Sequence, residues 1–595
     1  MTSVNTILDL LRDQAHREPD SPAIYTCLTP TTNNWISLTW KEVWDRVIAL
    51  SIGFKARGLE RGDRLAIIAP NGLEWELAHF AALASGAIVI GLDGHDTGER
   101  LRKILLHANV NALVVGGHKI LSKLGTSTQA AKFILSISRT KGIEALPAAL
   151  TWDEVMKAPF VGNKVPAPFP KKDDPATIIY TSGTTGEPKG ILYSHGQLVL
   201  ACEAIIAALP AGRPGARFVC WLPLSNLFQR VMNLCAVATG SSLYMVADPH
   251  KVLDFVQEIE PDVFIGVPRF YEKLALGIKQ ELAAETGVKA ALAQFALAIG
   301  RRYAAVTKNP GGKPTVALQL QYFLADRLVL RRLRGLFGTR LQYLISGSAP
   351  IPLWILEFFE SFGCLILEAY GLSENILPIA MNAPNAYRFG TVGKVMPQNE
   401  IRIDEDSELL VRGPGLFNGY FGDPESFERV SKDGFYRTGD YGHFDDAGFL
   451  KLTGRKSEII KTSSGRRIAL PAIESVLREL SWVDHAVVLG SGQKCLAALL
   501  TLGSRAEGMP NLSPALRAEL VAHINAKLSR HEQPAAALIL ARPFTVDGGE
   551  LTPNLKLRRA EIERKYATAT DRLFQTLDQM AQGSEPEQFL IEFHE

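Results

Sequence analysis

Tyr180-Thr181-Ser182-Gly183-Thr184-Thr185-Gly186-Glu187-Pro188-Lys189-Gly190 is the stretch on which the reading of this chain turns. It follows the apolar run 176–179 and precedes Ile191 and Leu192, which places it between two strands. Its three glycines let the backbone come close to a ligand and turn N–H groups toward it. Thr181, Ser182, Thr184 and Thr185 add hydroxyl groups, and Lys189 adds a point charge. The set suits a polyphosphate. No G-x-x-x-x-G-K-[ST] frame fits, because Lys189 does not follow Gly186 directly, so a P-loop kinase or ATPase is excluded.

Outward from this loop, short apolar runs alternate with amphipathic stretches. Residues 64–68 (RLAII), 87–90 (AIVI) and 112–115 (ALVV) read as strands with helices between them. That order predicts an α/β fold with parallel strands and helical crossovers. Across 409–448 the texture changes to short strands broken by Gly, Pro and Asp, which predicts a small antiparallel or barrel-like subdomain. Beyond Gly454 the pattern is mixed, and 486–489 followed by 496–500 reads as a hairpin. The expected division is 1–453, a joint at 454–457, and 458–595.

With 595 residues, several packed subdomains are expected. A net charge of +2 without a block of like charge gives nucleic acid no support as a partner. The N-terminus lacks a basic n-region and an apolar h-region, so the expectation is a cytoplasmic protein that starts with a surface helix, Val4, Ile7 and Leu11 sharing one face. The apolar stretch 198–209 contains Glu203 and falls short of the roughly 18 to 20 residues that cross a bilayer. Six scattered cysteines form no C-x-x-C pair and read as buried thiols of a reducing compartment.

The loop resembles the signature of the adenylate-forming superfamily, which includes acyl-CoA synthetases, luciferases and peptide-synthetase adenylation domains. Further motifs follow in that family's order. Gly347-Ser348-Ala349-Pro350 resembles the strand-end loop beside adenine. Glu368-Ala369-Tyr370-Gly371-Leu372-Ser373-Glu374 resembles the Y-G-x-T-E element, and Tyr436-Arg437-Thr438-Gly439-Asp440 resembles the segment whose aspartate holds the ribose hydroxyls. Gly454-Arg455 resembles the opening of the hinge. The resemblance implies a large N-terminal domain of two α/β sheets plus a β-barrel-like subdomain, and a small mobile α+β C-terminal domain. It also implies that ATP is bound by 181–186, 347–349, 368–371, Ser373, Asp440 and Arg455, with Mg²⁺ on Glu374 and Ser182.

Each residue suits its implied role. Tyr370 offers a ring for stacking, Glu374 a carboxylate for Mg²⁺, Asp440 two acceptors for a diol, and Arg455 a cation for ribose or phosphate. Alone, each reads more simply as a core tyrosine, a surface acid, a turn residue beside Gly439 and a surface ion-pair partner. The combination in order carries the assignment.

Residues 551–559 (LTPNLKLRR) are similar to L-T-x-T-L-K-x-[KR]-[KR], the terminal motif of long-chain fatty acyl-CoA synthetases. By itself Lys556 is one cation in a basic patch. The resemblance makes it the catalytic lysine of acyl-adenylate formation, alongside Glu374 and Lys189. Segments 325–350 and 261–274 also resemble the long-chain branch, and 221–230 carries no acid to hold a substrate ammonium, so an amino acid substrate is not expected. The implied reaction is activation of a fatty acid with ATP and transfer to CoA. An acyl-carrier protein is the alternative acceptor, and a silent nucleotide- and lipid-binding relative the alternative from another class. Departures from the long-chain pattern are Asn226 in place of histidine, Gln229 in place of glutamate, Ser457 at the hinge, and segment 91–96 without prolines. Arg327, Arg331, Arg332, Arg334 and Arg340 form a basic cluster, read as a solvated helix face or as a surface for anionic lipid heads or CoA phosphates. The second reading leaves room for peripheral membrane association.

Overall fold

The computed structural model describes residues 4–27, 34–137, 149–152, 154, 169–181, 188–308, 312–463, 465–503, 513–546, 548–552, 556–582 and 589–594. The chain divides into two compact units. The first holds Met1–Arg402, Leu410–Arg437 and Phe444–Lys451; the second holds Ile403–Leu409, Thr438–His443 and Leu452–Glu595.

Two large sheets build the first unit. One has seven strands in the order Ala149–Thr151, Phe133–Ser136, Ala112–Val115, Arg64–Ile68, Ile88–Gly91, Pro175–Thr181, Lys189–Ser194. Neighbours are parallel until the last pair, which is antiparallel. The three apolar runs of the sequence lie side by side in it. Both faces are covered, which is why Leu65, Ala66, Ile67 and Ile68 are all buried and the run does not alternate. The other sheet has nine strands, and its central parallel group includes Arg217–Cys220, Val263–Gly266, Tyr343–Ser346 and Ile366–Tyr370.

The N-terminal helix, Ile7–Arg17, differs from the expected surface helix. Thr6 and Asp9 close a capping box at its start. Ile7, Leu8 and Leu11 are fully buried in the main core, while Val4 precedes the helix. Leu8 beside Ile7 widens the apolar stripe, so the helix packs deeply on helices Trp40–Ala56 and Leu227–Thr239.

Helix Leu227–Thr239 carries a buried polar network. The Gln229 Oε1 accepts from the backbone N–H groups of Trp221 and Leu222 (3.3 and 3.1 Å), and its Nε2 donates to Asn233 Oδ1 at 2.8 Å. Asn233 in turn donates to Glu76 Oε1 at 2.5 Å. Arg230 donates to Thr177 Oγ1 at 2.8 Å, in the strand that leads to the glycine-rich loop. Burial pushes Arg230 down to about 10, opposed by the Glu76 carboxylate, and burial likewise holds the His79 imidazole below its ordinary value. Removing one member strands the others without water. Asn233→Leu is therefore expected to cost about 3 kcal/mol, read as a lower midpoint in equilibrium urea unfolding. A loss under about 0.5 kcal/mol, the range of an ordinary surface change, would show that the network adds no stability.

A five-stranded sheet follows, in the order Glu400–Ile403, Glu408–Arg412, Phe435–Phe444, Ser431–Lys432, with Leu450–Arg455 paired to Phe435–Phe444. It stands where the barrel-like subdomain is expected. In the second unit, a four-stranded sheet runs Val483–Leu489, Leu496–Leu502, Pro534–Leu540, Leu590–His594. Its first pair is antiparallel, the hairpin expected from the sequence, and the remaining pairs are parallel. Alternate side chains enter different cores: Ala486 and Val488 one, Val487 and Leu489 the other. This is an α+β unit.

Candidate active site

Strands Val263–Gly266, Tyr343–Ser346 and Ile366–Tyr370 run parallel and in register, with Gly266 opposite Ser346 and Ser346 opposite Glu368. Ligands of open α/β sheets bind at such carboxyl ends. Gly347, Ser348 and Ala349 leave one end; Gly371, Ser373 and Glu374 leave the next. Ser348 has φ +74°, a left-handed conformation that a serine holds only at a cost of about 1 to 3 kcal/mol. Tyr370 is buried, as is Glu368, whose Oε2 has no hydrogen-bond partner among the described residues. Burial pushes the Glu368 carboxyl up to about 8, against the pull of the Ile351 backbone N–H.

The flanks of the glycine-rich loop are paired across the antiparallel strands, Thr181 opposite Lys189. Ser182, Gly183, Thr184, Thr185 and Gly186 lie outside the described residues. Lys189 sets its ammonium 4.9 Å from the centre of the Tyr420 ring. The Tyr420 hydroxyl donates to Glu374 Oε1 at 2.9 Å, and Tyr193 donates to the Ser373 carbonyl at 2.6 Å. Backbone bonds fix this arrangement: Phe421 N–H to the Gly190 carbonyl at 2.7 Å and Phe417 N–H to the Glu374 carbonyl at 2.9 Å. Burial, with the Glu374 carboxylate adding to it, pushes both phenols up, so each remains a protonated donor at neutral pH. The structure thus brings Lys189, Ser373 and Glu374 together.

Glu374 is half-buried, and it is its Oε1 that accepts from the Tyr420 hydroxyl. No three His, Cys, Asp or Glu side chains gather as a metal cage among the described residues. Mg²⁺ is usually held by one or two carboxylates with further oxygens from phosphates and water, and Glu374 offers one such carboxylate.

The second unit holds a cluster of its own. Asp440 is buried, and its Oδ1 accepts from Arg455 Nε at 2.8 Å. The Asp440 N–H is fixed by Thr438 Oγ1 at 3.0 Å. Lys456 pairs with the buried Glu408 at 3.2 Å, and Gly439 N–H donates to the same carboxylate. Burial pushes the Glu458 carboxyl up, offset by Arg455 and Arg559. Lys556 is exposed, yet desolvation of its ammonium holds its pKa below the ordinary lysine value; Arg455 adds to that shift and Glu458 opposes it. Its carbonyl accepts from Thr552 N–H at 2.8 Å, and its N–H donates to Thr552 Oγ1 at 3.0 Å. Asp440, Arg455 and Lys556 therefore share one electrostatic neighbourhood.

Several residues escaped the sequence reading. Tyr420 and Tyr193 carry no local pattern, and their partners lie 46 and 180 residues away. Arg100 donates to the Thr181 carbonyl at 3.2 Å and pairs with Asp96, while His107 meets the Tyr180 hydroxyl at 2.8 Å. Helix Gly98–His107 thus props the start of the loop, and the unusual segment 91–96 leads into it. Asn226 caps helix Leu227–Thr239, its Oδ1 accepting from Phe228 N–H at 3.0 Å, and Gln229 belongs to the buried network described above. Ser457 is exposed in a short 3₁₀ turn.

Comparison with known proteins agrees with this architecture. The family described as AMP-binding enzyme matches residues 11–421, and its C-terminal domain matches 457–578. The chain is 31% identical to the long-chain-fatty-acid–CoA ligase FadD15 of Mycobacterium bovis, over 91% of this chain and 92% of that protein. It is 27% identical to the long-chain-fatty-acid–CoA ligase ACSBG2 of Xenopus laevis, over 96% and 84%. Among solved structures, the adenylation domain of a carboxylate reductase from Mycobacterium chelonae superposes with a TM-score of 0.77 at 20% identity, covering 97% of this chain and 92% of that one. With the family match spanning most of its length, the chain belongs to the AMP-binding enzymes.

Proposed function

We propose that the protein activates long-chain fatty acids in two steps, first as acyl-adenylates and then as thioesters of CoA. The observation that supports the reading is the Lys189–Tyr420–Glu374 arrangement at the flank of the glycine-rich loop, a cation and a carboxylate of the kinds that a polyphosphate and its metal call for. The identity to long-chain-fatty-acid–CoA ligases over nine-tenths of the chain supports the substrate class.

In the first step a carboxylate oxygen attacks the α-phosphorus of ATP, the α–β P–O bond breaks, and pyrophosphate leaves. Two anions must approach, and charge spreads over the phosphoryl oxygens. The residues proposed to offset it are the loop N–H and hydroxyl groups of 181–186, Lys189 and Lys556. Glu374 and Ser182 would hold Mg²⁺, which supplies charge neutralisation at the phosphates. Tyr370 and residues 347–349 and 368–371 would receive the adenine, and Asp440 with Arg455 the ribose. The hinge is proposed at 454–457. In the second step the thiol sulfur attacks the acyl carbon, its proton is lost, and AMP departs.

Pyrophosphate release tests the reading, with ATP, Mg²⁺ and acids from acetate to C18, with and without CoA. Multiple turnovers that need both a long-chain acid and CoA are expected. Acid-dependent release that stalls near one equivalent despite CoA would replace CoA with a carrier-protein thiol. No release with any acid would overturn the assignment.

A further inference from the structure

Residues 286–340 hold ten Lys and Arg against a single acid, Asp326, in a chain whose net charge is +2. They fold as helix Gly287–Thr307 and helix Val316–Ala325, the latter running through a π turn at Asp326–Leu330 into Arg331–Arg334. The inner side is fastened to the first unit. Tyr303 stacks on Tyr322 with ring centres 4.0 Å apart. Gly300 presses so close to the Ser361 carbonyl that a Cβ there would sit 1.7 Å from its oxygen. Ala296, Ile299, Leu318, Ala325 and Leu330 are buried.

The outer side is apolar as well. Val316, Leu320, Phe323, Leu324 and Leu328 follow helical spacing and are all exposed, Leu320 at 61% and Phe323 at 57%. One exposed leucine needs no explanation; five on a single stripe do. The helix continues into Arg327, Arg331 and Arg332, also exposed. The other two arginines of the cluster serve the fold: Arg334 pairs with Asp326 at 2.6 Å and Arg340 with the buried Asp262 at 2.9 Å.

We infer that this helical face lies on the surface of an anionic lipid bilayer, its leucines and phenylalanine in the headgroup–acyl boundary and its arginines on the phosphates. An apolar stripe edged by cations and almost free of acids is the pattern of helices that lie in a membrane interface. Among the described residues no helix is long and apolar enough to cross a membrane, so the contact would be peripheral. A second copy is the less suitable occupant, because a two-fold interface would set this strongly cationic patch against itself. The inference rests on surface chemistry and stands apart from the proposed activity.

Flotation with vesicles tests it directly. The full chain is expected to rise with vesicles of equal parts phosphatidylcholine and phosphatidylglycerol, to stay behind with phosphatidylcholine alone, and to lose binding as salt is raised. Leu320→Ser/Phe323→Ser and Arg331→Ala/Arg332→Ala should each weaken binding by about tenfold or more, with far-UV circular dichroism and the unfolding midpoint unchanged. Failure of the wild-type chain to float with the mixed vesicles would overturn the inference, as would equal flotation of the variants. A dimer in size-exclusion chromatography that the variants dissociate, without vesicle binding, would also overturn it and assign the face to a second copy.

Discussion

Lys556→Ala is expected to slow acyl-adenylate formation about 10²- to 10³-fold, the loss of roughly 3 to 4 kcal/mol that follows removal of one preorganised charge stabiliser. Thiolysis of a supplied acyl-adenylate should fall by less than about threefold, well short of the loss of such a stabiliser. The contrast follows from the chemistry of the two steps. In the first step a carboxylate must approach the anionic α-phosphate, and a cation offsets that repulsion. In the second step the thiol attacks the acyl carbon, no second anion approaches phosphorus, and the cation has less repulsion to offset. Comparable losses in both half-reactions, measured separately, would remove Lys556 from this role.

The surroundings of Lys556 add a pH dependence. Crowding by protein atoms and the Arg455 guanidinium favour the neutral amine, and Glu458 only partly restores the ammonium. The charged form is present below the lysine's pKa and is lost as pH rises through it, earlier than for an ordinary lysine. Adenylate formation is therefore expected to lose rate on the alkaline side while thiolysis of supplied adenylate does not share that limb. Glu458→Gln removes the opposing carboxylate and should move the limb to lower pH. A limb that stays in place in that variant would show that another group titrates.

What the sequence could disclose depended on whether the chemistry was local. The glycine-rich loop was legible because its Gly, Ser/Thr and Lys lie within eleven residues and need each other there. The three runs that became neighbouring parallel strands were legible because a sheet covered on both faces demands continuous apolar residues. Asp440 and Arg455, 15 residues apart, had meaning only through resemblance, since turn and surface readings satisfy each alone. Tyr420 was out of reach: nothing around it marks a residue that touches Glu374 and faces Lys189. Depth of burial was equally hidden. The period of helix Ile7–Arg17 revealed an apolar face, but not that the face would be sealed. The arginine cluster looked uniform in sequence, yet Arg340 neutralises a buried Asp262 that lies 78 residues away. Long-range pairing sorted those arginines into structural and exposed ones.

Glu374→Gln is expected to lower adenylate formation about 10²-fold and to raise the Mg²⁺ concentration for half-maximal rate about 10- to 100-fold. The amide keeps the shape of the side chain and can still accept from the Tyr420 hydroxyl, so the 2.9 Å contact survives while the charge is lost. That hydroxyl fixes Oε1, and Oε2 is the atom proposed to meet the metal. Tyr420→Phe makes the complementary change. It keeps the ring under Lys189 and the carboxylate charge but frees the carboxylate to rotate, so a smaller rise in the Mg²⁺ requirement, about tenfold or less, is expected. If Glu374 served only to shape the loop, Glu374→Gln would leave the Mg²⁺ dependence where it was, and Tyr420→Phe would be the more damaging change. The order of the two variants along the Mg²⁺ axis thus separates a metal-holding carboxylate from a structural one.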